Sequence, residues 1–481
     1  WSALLVSSVA LAACSSDDGG ETKGNTGGAS GGGGTGAHPA GGAGGVTGGA
    51  GGAGGATGGA SGGGGSPAGG AGGSGGGPSS TDCALPNVRC VDDAPGPTQE
   101  YSTIQAAADA SAAGDTVVVP PGAYAGFQVD PSGAAGSPIY FFANGAGVKI
   151  TSPASTGDGI RLQNVSHVVI DGFEIEAPPQ RCIAARGATP EAPMIDVTVR
   201  RNLCKNATVE GFYLSEVSKS LIEDNEVSGA GVKGDTRSHC IYLANAGSDD
   251  TTIRRNRLHG CKAAESNGIH MNGDLSVGGD GIISDLVVES NVIYDNGQNG
   301  LNLDGVQSSL FQNNVIYGNA RNGLRAYAID GAAGPKGLRV VNNTLRAEQS
   351  GFALKLSEDE GGHVVFGNVL LGSSGAISMD ASPGFQSNYN AVSDQLSADG
   401  ESSMLGLAGW QALGFDKNSF VASAALFTNA AAGDYTLAAG APAIDKGTAT
   451  FGGINAPVTD FLGTSRPQGA GFDIGAHERK P

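Results

Sequence analysis

Between residues 156 and 394, apolar and polar side chains alternate in short runs that recur along the chain. The runs 197–202, 221–225 and 287–291 place apolar residues at every second position. A period of two is typical of a strand with one buried and one exposed face. Helical patterns of comparable length do not separate these runs, which argues against alternating strands and helices. The pattern therefore predicts an all-β solenoid of stacked coils.

Two landmarks recur in each predicted coil. One is a Gly or Cys followed by an apolar residue, which we interpret as a strand start, at 159–160, 182–183, 211–212, 240–241, 268–269, 300–301, 323–324 and 351–352. The other is an Asn that ends a second β-rich run: Asn202, Asn225, Asn256, Asn291, Asn314, Asn343 and Asn368, with Asp171 in that role earlier. Asn tolerates left-handed backbone, and its amide can bond to the equivalent Asn about 4.8 Å away in the next coil. We interpret these residues as a structural ladder and not as ligands.

The ends of the repeat carry segments that can cover the terminal coils. Residues 102–110 predict an amphipathic helix capped by Ser102 or Thr103, followed by a strand over 116–119. The stretch 103–124 resembles the N-terminal cap of pectate-lyase-like right-handed parallel β-helix proteins. Segments 441–445, 466–467 and 472–478 resemble the terminal motif of exported bacterial proteins with that fold. The resemblance spans residues 103–478 and implies the fold, but the superfamily includes lyases, hydrolases, epimerases and binding proteins.

The N-terminal residues point to export. An apolar run over residues 4–13 ends in small residues and is too short to span a bilayer. Because Trp1 has no Met or basic residue before it, we expect a charged leader to precede the sequence. Residues 11–14, Leu-Ala-Ala-Cys, resemble the lipobox of bacterial lipoproteins, which implies cleavage before Cys14, acylation of its thiol and, with Ser15 next, an outer-membrane location. The alternative is an ordinary signal peptide with an incidental cysteine.

Composition divides the chain into a signal segment (1–14), a linker rich in Gly, Ala and Ser (15–82) and a β-helix domain with caps at both ends (83–481). Gly contributes more than half of the residues from 24 to 80, where almost no large apolar side chain occurs. Such a segment cannot offset its ordering entropy and is predicted to be a disordered tether.

Six cysteines remain beyond Cys14, an even number that suits an oxidising compartment. We favour the pairs Cys83–Cys90, Cys182–Cys204 and Cys240–Cys261, although spacing alone leaves other pairings open. The net charge of −19 argues against nucleic acid as a partner. Membrane contact is expected only through the lipid at Cys14, and we expect a monomer.

Strand alternation indicates which side chains share the outer face of the coils. Aligning the strand starts gives a first column: Arg161, Ala184, Tyr213, Tyr242, His270, Asn302, Arg325 and Ala353. The second column, two residues further along each strand, is Gln163, Arg186, Ser215, Ala244, Asn272, Asp304, Tyr327 and Lys355. Aromatic rings pack on sugars, while amides and cations bind hydroxyls and carboxylates. This face therefore predicts a glycan site, with a merely polar face as the alternative; the predicted substrate-binding residues are Tyr213, Tyr242, Asn272, Asn302 and Asp304.

The same face offers groups for β-elimination from a uronate-containing polysaccharide. This reaction needs a cation on the carboxylate, a base for the adjacent proton and a proton donor for the leaving oxygen. We assign these roles to Arg325, Lys355 and Tyr327, in that order. His270 is the alternative base because the ordinary pKa of histidine is nearer the working pH. Lys355 would need a lowered pKa, which the adjacent Arg325 would encourage.

Other reactions would use carboxylates. Glycoside hydrolysis needs two carboxyl groups at a suitable separation; Asp380 is predicted three coils from Asp304, which is too far, whereas Asp274 is one coil away. Asp274, Asp280 and Asp304 are also candidate ligands of a Ca²⁺ that bridges the protein to an acidic sugar. The sequence thus predicts a surface lyase acting on an acidic polysaccharide. The alternatives are non-catalytic glycan binding or adhesion, and a glycoside hydrolase or uronate epimerase.

Overall fold

The computed structural model describes residues 77–78, 80–91, 100–234 and 238–480. The predicted signal segment, Cys14 and nearly all of the linker lie outside these residues, so export, acylation and the tether stay predictions. Among the described residues, no helix has the length and apolar character that crossing a membrane requires.

Three long parallel sheets form the walls of a solenoid. Wall 1 has eleven strands: Phe127–Val129, Ile160–Gln163, Ile183–Arg186, Phe212–Ser215, Ile241–Ala244, Ile269–Asn272, Leu301–Asp304, Leu324–Tyr327, Phe352–Leu356, Gly375–Met379 and Leu396–Ser397. Wall 2 has twelve: Gly122–Ala125, Val148–Ser152, Glu174–Glu176, Leu203–Lys205, Glu226–Ser228, Arg257–His259, Val292–Tyr294, Val315–Tyr317, Thr344–Ala347, Val369–Gly372, Ala391–Val392 and Phe420–Val421.

Wall 3 has thirteen strands: Glu100–Tyr101, Val88–Val91, Thr116–Val119, Ile139–Ala143, Val168–Asp171, Val197–Arg200, Leu221–Glu223, Thr252–Arg254, Val287–Glu289, Leu310–Gln312, Arg339–Val341, Val364–Phe366 and Gln386–Asn388. Each central coil visits wall 1, wall 3 and wall 2 in turn. The predicted all-β solenoid is confirmed.

Short elements decorate the coils. Four two-stranded sheets pair Met194–Ile195 with Val217–Ser218, Ile283–Ser284 with Val306–Gln307, Phe427–Asn429 with Asp434–Leu437, and Thr450–Phe451 with Ile454–Asn455. The helices are Ile104–Asp109 and Leu407–Ala412, and the 3₁₀ turns are Leu275–Val277, Ala424–Leu426 and Ala430–Ala432.

The core lies inside the coils and is built from the inward positions of each strand. On wall 1, Leu214, Leu243, Met271 and Leu303 face one another in successive strands and are fully buried. Burial of one such side chain is worth about 1.5–3 kcal/mol relative to exposure. The same register places the alternating residues on the outer face, so the core pattern fixes the candidate site.

The predicted asparagine ladder is present and runs one coil further than expected. Asn202 Nδ2 donates to Asn225 Oδ1 at 3.1 Å, and its backbone N–H donates to the same oxygen at 3.0 Å. The pattern of side-chain bonds repeats through Asn256, Asn291, Asn314, Asn343, Asn368 and Asn390. All are buried, so a stacked amide column replaces water at this bend.

Two details of that ladder differ from the prediction. Asp171 does not start it, because Asn202 lies beside Phe173, whose N–H donates to Asn202 Oδ1 at 3.0 Å, while Asp171 pairs with Arg200. The left-handed backbone also falls on the residue before the ladder, for example Arg201 (φ 53°) and Asp224 (φ 57°). The ladder residues are thereby aimed inward.

Both ends of the solenoid are covered by short helices. Thr103 caps the first one, as predicted, by accepting the N–H of Ala106 at 3.1 Å, and Ile104 from this helix is buried in the core. At the other end, the helix Leu407–Ala412 places Trp410, which is fully buried, into the same core cluster. The predicted strand Thr116–Val119 follows the first helix.

The C-terminal segment 424–480, here called the strap, lies along the outside of walls 2 and 3. Its Tyr435, Leu437 and Ile474 pack on Val315, Val369 and Leu371 of wall 2, and Phe451 and Ala456 pack on Val341, Val364 and Phe366 of wall 3. The segment predicted as a cap therefore covers outer faces, while the helix around Trp410 covers the end.

The three favoured disulfides are all present. Cys182–Cys204 and Cys240–Cys261 each join the residue before a wall 1 strand to the wall 2 side of the same coil, and Cys83–Cys90 precedes the first helix. Each bond closes a loop of 7 to 22 residues. They therefore fix individual coils.

Candidate functional site

Wall 1 brings most of the predicted residues into two columns. In the first column Tyr213 lies opposite Tyr242, which lies opposite His270, and the column continues through Asn302 to Arg325. In the second column Asn272, Asp304 and Tyr327 follow one another in the same strands. The sequence alignment of these strands is confirmed.

The next strand is displaced by two residues from the predicted register. Lys355, assigned to the second column, lies opposite Arg325 and thus belongs to the first, where Ala353 was expected. The reason is local: Asn322 Oδ1 accepts the N–H of Phe352 at 2.9 Å, and Gly323 donates to the carbonyl of Phe352 at 3.1 Å. The correction makes Arg325 and Lys355 direct neighbours in adjacent strands.

Burial separates the predicted residues into two groups. The exposed fraction is at most 6% for His270, Asn302, Asn272, Asp304 and Tyr327. Tyr213, Tyr242, Arg325 and Lys355 are partly exposed. Sequence alternation places a side chain on the outer side of a wall but does not reveal whether neighbours cover it. A ligand on this face would first meet the second group.

An aromatic strip occupies the middle of the face. The rings of Tyr213 and Tyr242 are 5.5 Å apart edge to face, and Tyr242 stacks on His270 at 4.9 Å. His239 joins this strip from the bend before its strand, with its ring 4.7 Å from His270. The strand pattern did not predict His239 at this strip, because the bend lies outside the strand columns.

Two arginines extend the strip towards the N-terminal coils. The guanidinium groups of Arg181 and Arg186 each lie 4.7 Å from the centre of the Tyr213 ring. Arg181 also pairs with Glu210 at 2.7 Å. Cation–π contacts of this kind hold a flexible cation over a ring. Positive charge therefore lies at this end of the strip.

His270 is a neutral imidazole in this environment. Burial lowers its pKa to about 4, and the nearby positive charge of Arg325 acts in the same direction. The expectation of a pKa nearer the working pH is therefore wrong. At neutral pH His270 can donate or accept a hydrogen bond, but it is a weak base.

Arg325 is the exposed cation that ends the strip. Its guanidinium lies 4.0 Å from the centre of the Tyr327 ring, and it makes no hydrogen bond or ion pair with any residue that the structure describes. Lys355, its neighbour in the next strand, forms an ion pair with Glu401. The Tyr327 hydroxyl accepts from Asn302 Nδ2 at 2.8 Å.

Asp304 holds a loop and does not face a ligand. Its carboxylate accepts the backbone N–H groups of Ile329, Asp330 and Gly331 at 2.8, 3.0 and 3.0 Å. Burial raises the pKa of Asp304, and the three N–H groups oppose this shift. The bonded residues belong to a loop, 328–332, that flanks the second column. These contacts assign Asp304 the support of this flank, and its predicted role in substrate binding stays a prediction.

The three aspartates predicted as calcium ligands are engaged separately. Asp274 is buried and accepts the N–H and hydroxyl of Ser276, and exposed Asp280 accepts the N–H of Ile282 at 3.0 Å. No group of three or more His, Cys, Asp or Glu side chains that could hold a metal occurs in the described ranges. Calcium stays a prediction that only a binding measurement addresses.

Asp304→Ala is expected to release the 328–332 loop. Three N–H groups in part-buried hydrogen bonds lose a charged acceptor, so we expect stability to fall by about 1–2 kcal/mol and amide exchange to accelerate at 329–331. Hydrogen exchange with mass spectrometry measures this directly. Asp280→Ala is the control, because an exposed carboxylate with one such contact should change stability by less than about 0.5 kcal/mol. Unchanged protection of 329–331 in the Asp304 variant would disprove the clamp.

A family model described as "right handed beta helix region" matches residues 134–277 and 235–392. Among solved structures, pectate lyase Pel9A is similar with a TM-score of 0.54 at 16% identity, covering 78% of this chain and 90% of that one. XylC in complex with xylose gives 0.48 at 11% identity, with 82% and 99% covered. The alginate lyase from Paenibacillus sp. str. FPU-7 gives 0.43 at 16%, with 62% and 95% covered. No curated protein sequence matches the chain.

Proposed function

The chain belongs to the right-handed β-helix family, and we propose that its wall 1 binds an acidic polysaccharide and cleaves it at uronate residues by β-elimination. The polymer would lie along the solenoid axis, across successive coils. Its rings would contact Tyr213 and Tyr242, and one carboxylate would lie on Arg325.

The observation that carries this proposal is the unpaired guanidinium of Arg325. A partly exposed guanidinium that lies over a ring, with no carboxylate partner in the described residues, can bind an anion bidentately. The charged residues on the outer face of wall 1 also favour an anionic ligand. The chain carries −19 overall, yet the two corrected columns contain one carboxylate, the buried Asp304, and four cations: Arg161, Arg186, Arg325 and Lys355. Arg161 and Lys355 form ion pairs with carboxylates outside the columns, Asp158 and Glu401.

The residues map onto the steps of the reaction as follows. Arg325 binds the uronate carboxylate and stabilises the negative charge that develops when the adjacent C–H loses its proton. Lys355, one strand away, takes that proton in its neutral amine form, after its own proton has left to solvent; the bond to the leaving glycosidic oxygen breaks, and a C=C bond forms in the ring. The proton for the leaving oxygen is assigned to Tyr327, whose ring also orients Arg325.

Hydrolysis is less well supported by the same contacts. It needs two carboxyl groups on either side of a sugar. Asp304 is engaged by three backbone N–H groups, and Oδ1 of Asp274 accepts two bonds from Ser276, so these residues do not present two free carboxylates to the face. A uronate epimerase would begin with the same proton removal as the lyase and is distinguished by its product.

Absorbance of unsaturated uronate ends tests the lyase directly. Purified protein is incubated with pectate, alginate and other acidic polysaccharides, with and without Ca²⁺, and we expect absorbance to rise with one of them. Lys355→Met should lower the rate at least about 100-fold, since general-base catalysis contributes roughly 10²–10⁴-fold. Lys336→Met is the matched control, because Lys336 also pairs with a glutamate, Glu360, but lies outside both columns. Equal rates in the two variants would remove Lys355 from the reaction.

Non-catalytic glycan binding is the second candidate, and one observation favours it. The groups that would move protons are engaged within the protein, Lys355 with Glu401 and the Tyr327 hydroxyl with Asn302. Retained binding with no unsaturated product from any polymer would support this reading and reject the lyase.

A further inference from the structure

A second amide ladder runs beside the aromatic strip, at the bend that leads into wall 1. Asn299 Nδ2 donates to Asn267 Oδ1 at 3.1 Å, and Asn322 Nδ2 donates to Asn299 Oδ1 at 2.9 Å. The backbone N–H groups of Asn299 and Asn322 donate to the same two oxygens. Because a backbone N–H can only donate, these contacts fix which end of each amide is the oxygen.

The direction of this ladder determines the tautomer of His270. Asn299 Nδ2 also donates to Asn302 Oδ1 at 2.9 Å, so the other end of the Asn302 amide is its NH₂ group. That NH₂ lies 2.9 Å from His270 Nδ1 and 2.8 Å from the Tyr327 hydroxyl. The Asn302 carbonyl also lies near His270 Nδ1, at 3.2 Å, but the amide contact is shorter and its direction is set by Asn299. We therefore assign Nδ1 as the acceptor and place the ring proton on Nε2.

His239 is fixed in the same form by an independent contact. The backbone N–H of Asn267 donates to His239 Nδ1 at 3.1 Å, and the side chain of Asn267 lies 3.3 Å from the same atom. His239 therefore also carries its proton on Nε2. The exposed fraction is 5% for His239 and 4% for His270, and their rings are 4.7 Å apart.

Within the described part of the protein, the Nε2–H groups of His239 and His270 are donors without an acceptor. Neither atom has a hydrogen-bond partner there, and neither is among the fully sealed unpartnered atoms. Burial lowers the pKa of both rings, and each would repel a proton on the other, so both stay uncharged at neutral pH. Two neighbouring unpaired N–H donors on a ligand-binding wall need an acceptor to satisfy them.

We propose that His239 and His270 form a paired-donor subsite for the carboxylate of a second uronate residue, in the polymer bound by Arg325. This assignment rests on the proposed function of wall 1. His270 lies two strands from Arg325, roughly 10 Å along the axis at the usual strand spacing. A carboxylate accepts without donating, so it fits two donors better than a hydroxyl does.

The tautomers can be tested without any ligand. In a ¹⁵N-histidine NMR spectrum at pH 7, the resonances of His239 and His270 should show protonated Nε2 and unprotonated Nδ1. Asn299→Leu removes the donor that orients Asn302 and should give His270 a mixture of tautomers, while His239, held by a backbone N–H, keeps its form. Protonated Nδ1 and unprotonated Nε2 at either ring in the wild type would overturn the paired subsite.

Glutamine and asparagine variants separate the two ring nitrogens. Glutamine at position 239 or 270 places an NH₂ near the former Nε2, whereas asparagine reaches only to Nδ1. With a pectate hexamer as the probe, we expect His239→Gln and His270→Gln to bind within about threefold of the wild type, and the Asn variants to bind at least about tenfold more weakly. With the methyl-esterified hexamer, all five proteins should bind alike.

The outcomes separate the subsite from the proposed function. Equal binding of the acidic hexamer by the Asn and Gln variants would overturn the subsite and leave the Arg325 site standing. Failure of the wild type to bind pectate or alginate oligomers would overturn the proposed function and the subsite with it.

Discussion

Arg325→Met is expected to weaken binding of an acidic polysaccharide by about 10- to 100-fold, the loss that follows when one or two hydrogen bonds to a charged group are removed. Methionine keeps an apolar chain on the Tyr327 ring, so the wall should stay packed. Titration of pectate and alginate oligomers by calorimetry measures the affinity, and the same variant should lose turnover in the absorbance assay. Arg325→Lys keeps the positive charge but loses the planar guanidinium, so its affinity should lie between those of the wild type and Arg325→Met.

Arg257→Met is the matched control for this substitution. Arg257 also lies over a tyrosine ring, that of Tyr294 at 5.0 Å, but it lies on wall 2. We expect unchanged affinity and turnover. A similar loss in both variants would mean that any cation on the surface contributes, and full binding by Arg325→Met would reject Arg325 as the anion site.

Arg466→Met is expected to lower the free energy of unfolding by about 3–5 kcal/mol, because it leaves a buried carboxylate without its partner. Arg466 and Glu478 form an ion pair at 3.0 Å with both side chains fully buried in the strap. Arg466 also donates to the carbonyls of Asp473 and Gly475. Urea unfolding followed by tryptophan fluorescence measures the change, since Trp410 lies in the main core.

The double variant Arg466→Met with Glu478→Leu distinguishes charge from packing. Removing both charges should recover part of the lost stability, since an apolar pair avoids the desolvation penalty. Lys149→Met, which removes an exposed ion pair with Glu174 at 3.9 Å, should change stability by less than about 1 kcal/mol. If Arg466→Met were as mild as Lys149→Met, the ion pair would not be what holds the strap.

The fold was predictable because the signals repeat. Alternation in each run and the recurring Asn located the strands and the first ladder, and the register from Tyr213 to Arg325 followed from equal positions after each strand start. The predicted register was wrong at Lys355. There the side-chain amide of Asn322 binds the start of the strand and sets its pairing, which the strand pattern does not reveal.

The candidate site was only partly predictable, because the burial and hydrogen bonding of its side chains depend on neighbouring bends and loops. Alternation placed His270 and Asp304 on the outer side correctly. It could not show that backbone N–H groups of the 328–332 loop would donate to the Asp304 carboxylate, or that His239 would contact His270 from outside the strand. The second ladder was also missed, because Asn267, Asn299 and Asn322 lie in bends of variable length.

The position of the strap has a consequence for how the chain reaches its final state. The ladder bonds between neighbouring coils join residues that are 22 to 35 positions apart, whereas strap side chains bond residues of the coils that are 87 to 153 positions away. Local contacts form early and distant ones late. Coils can therefore stack one after another, but Val315, Val369 and Leu371 stay uncovered until the strap packs on them. Docking of the strap is the folding step that removes this exposed apolar surface and the aggregation risk that comes with it.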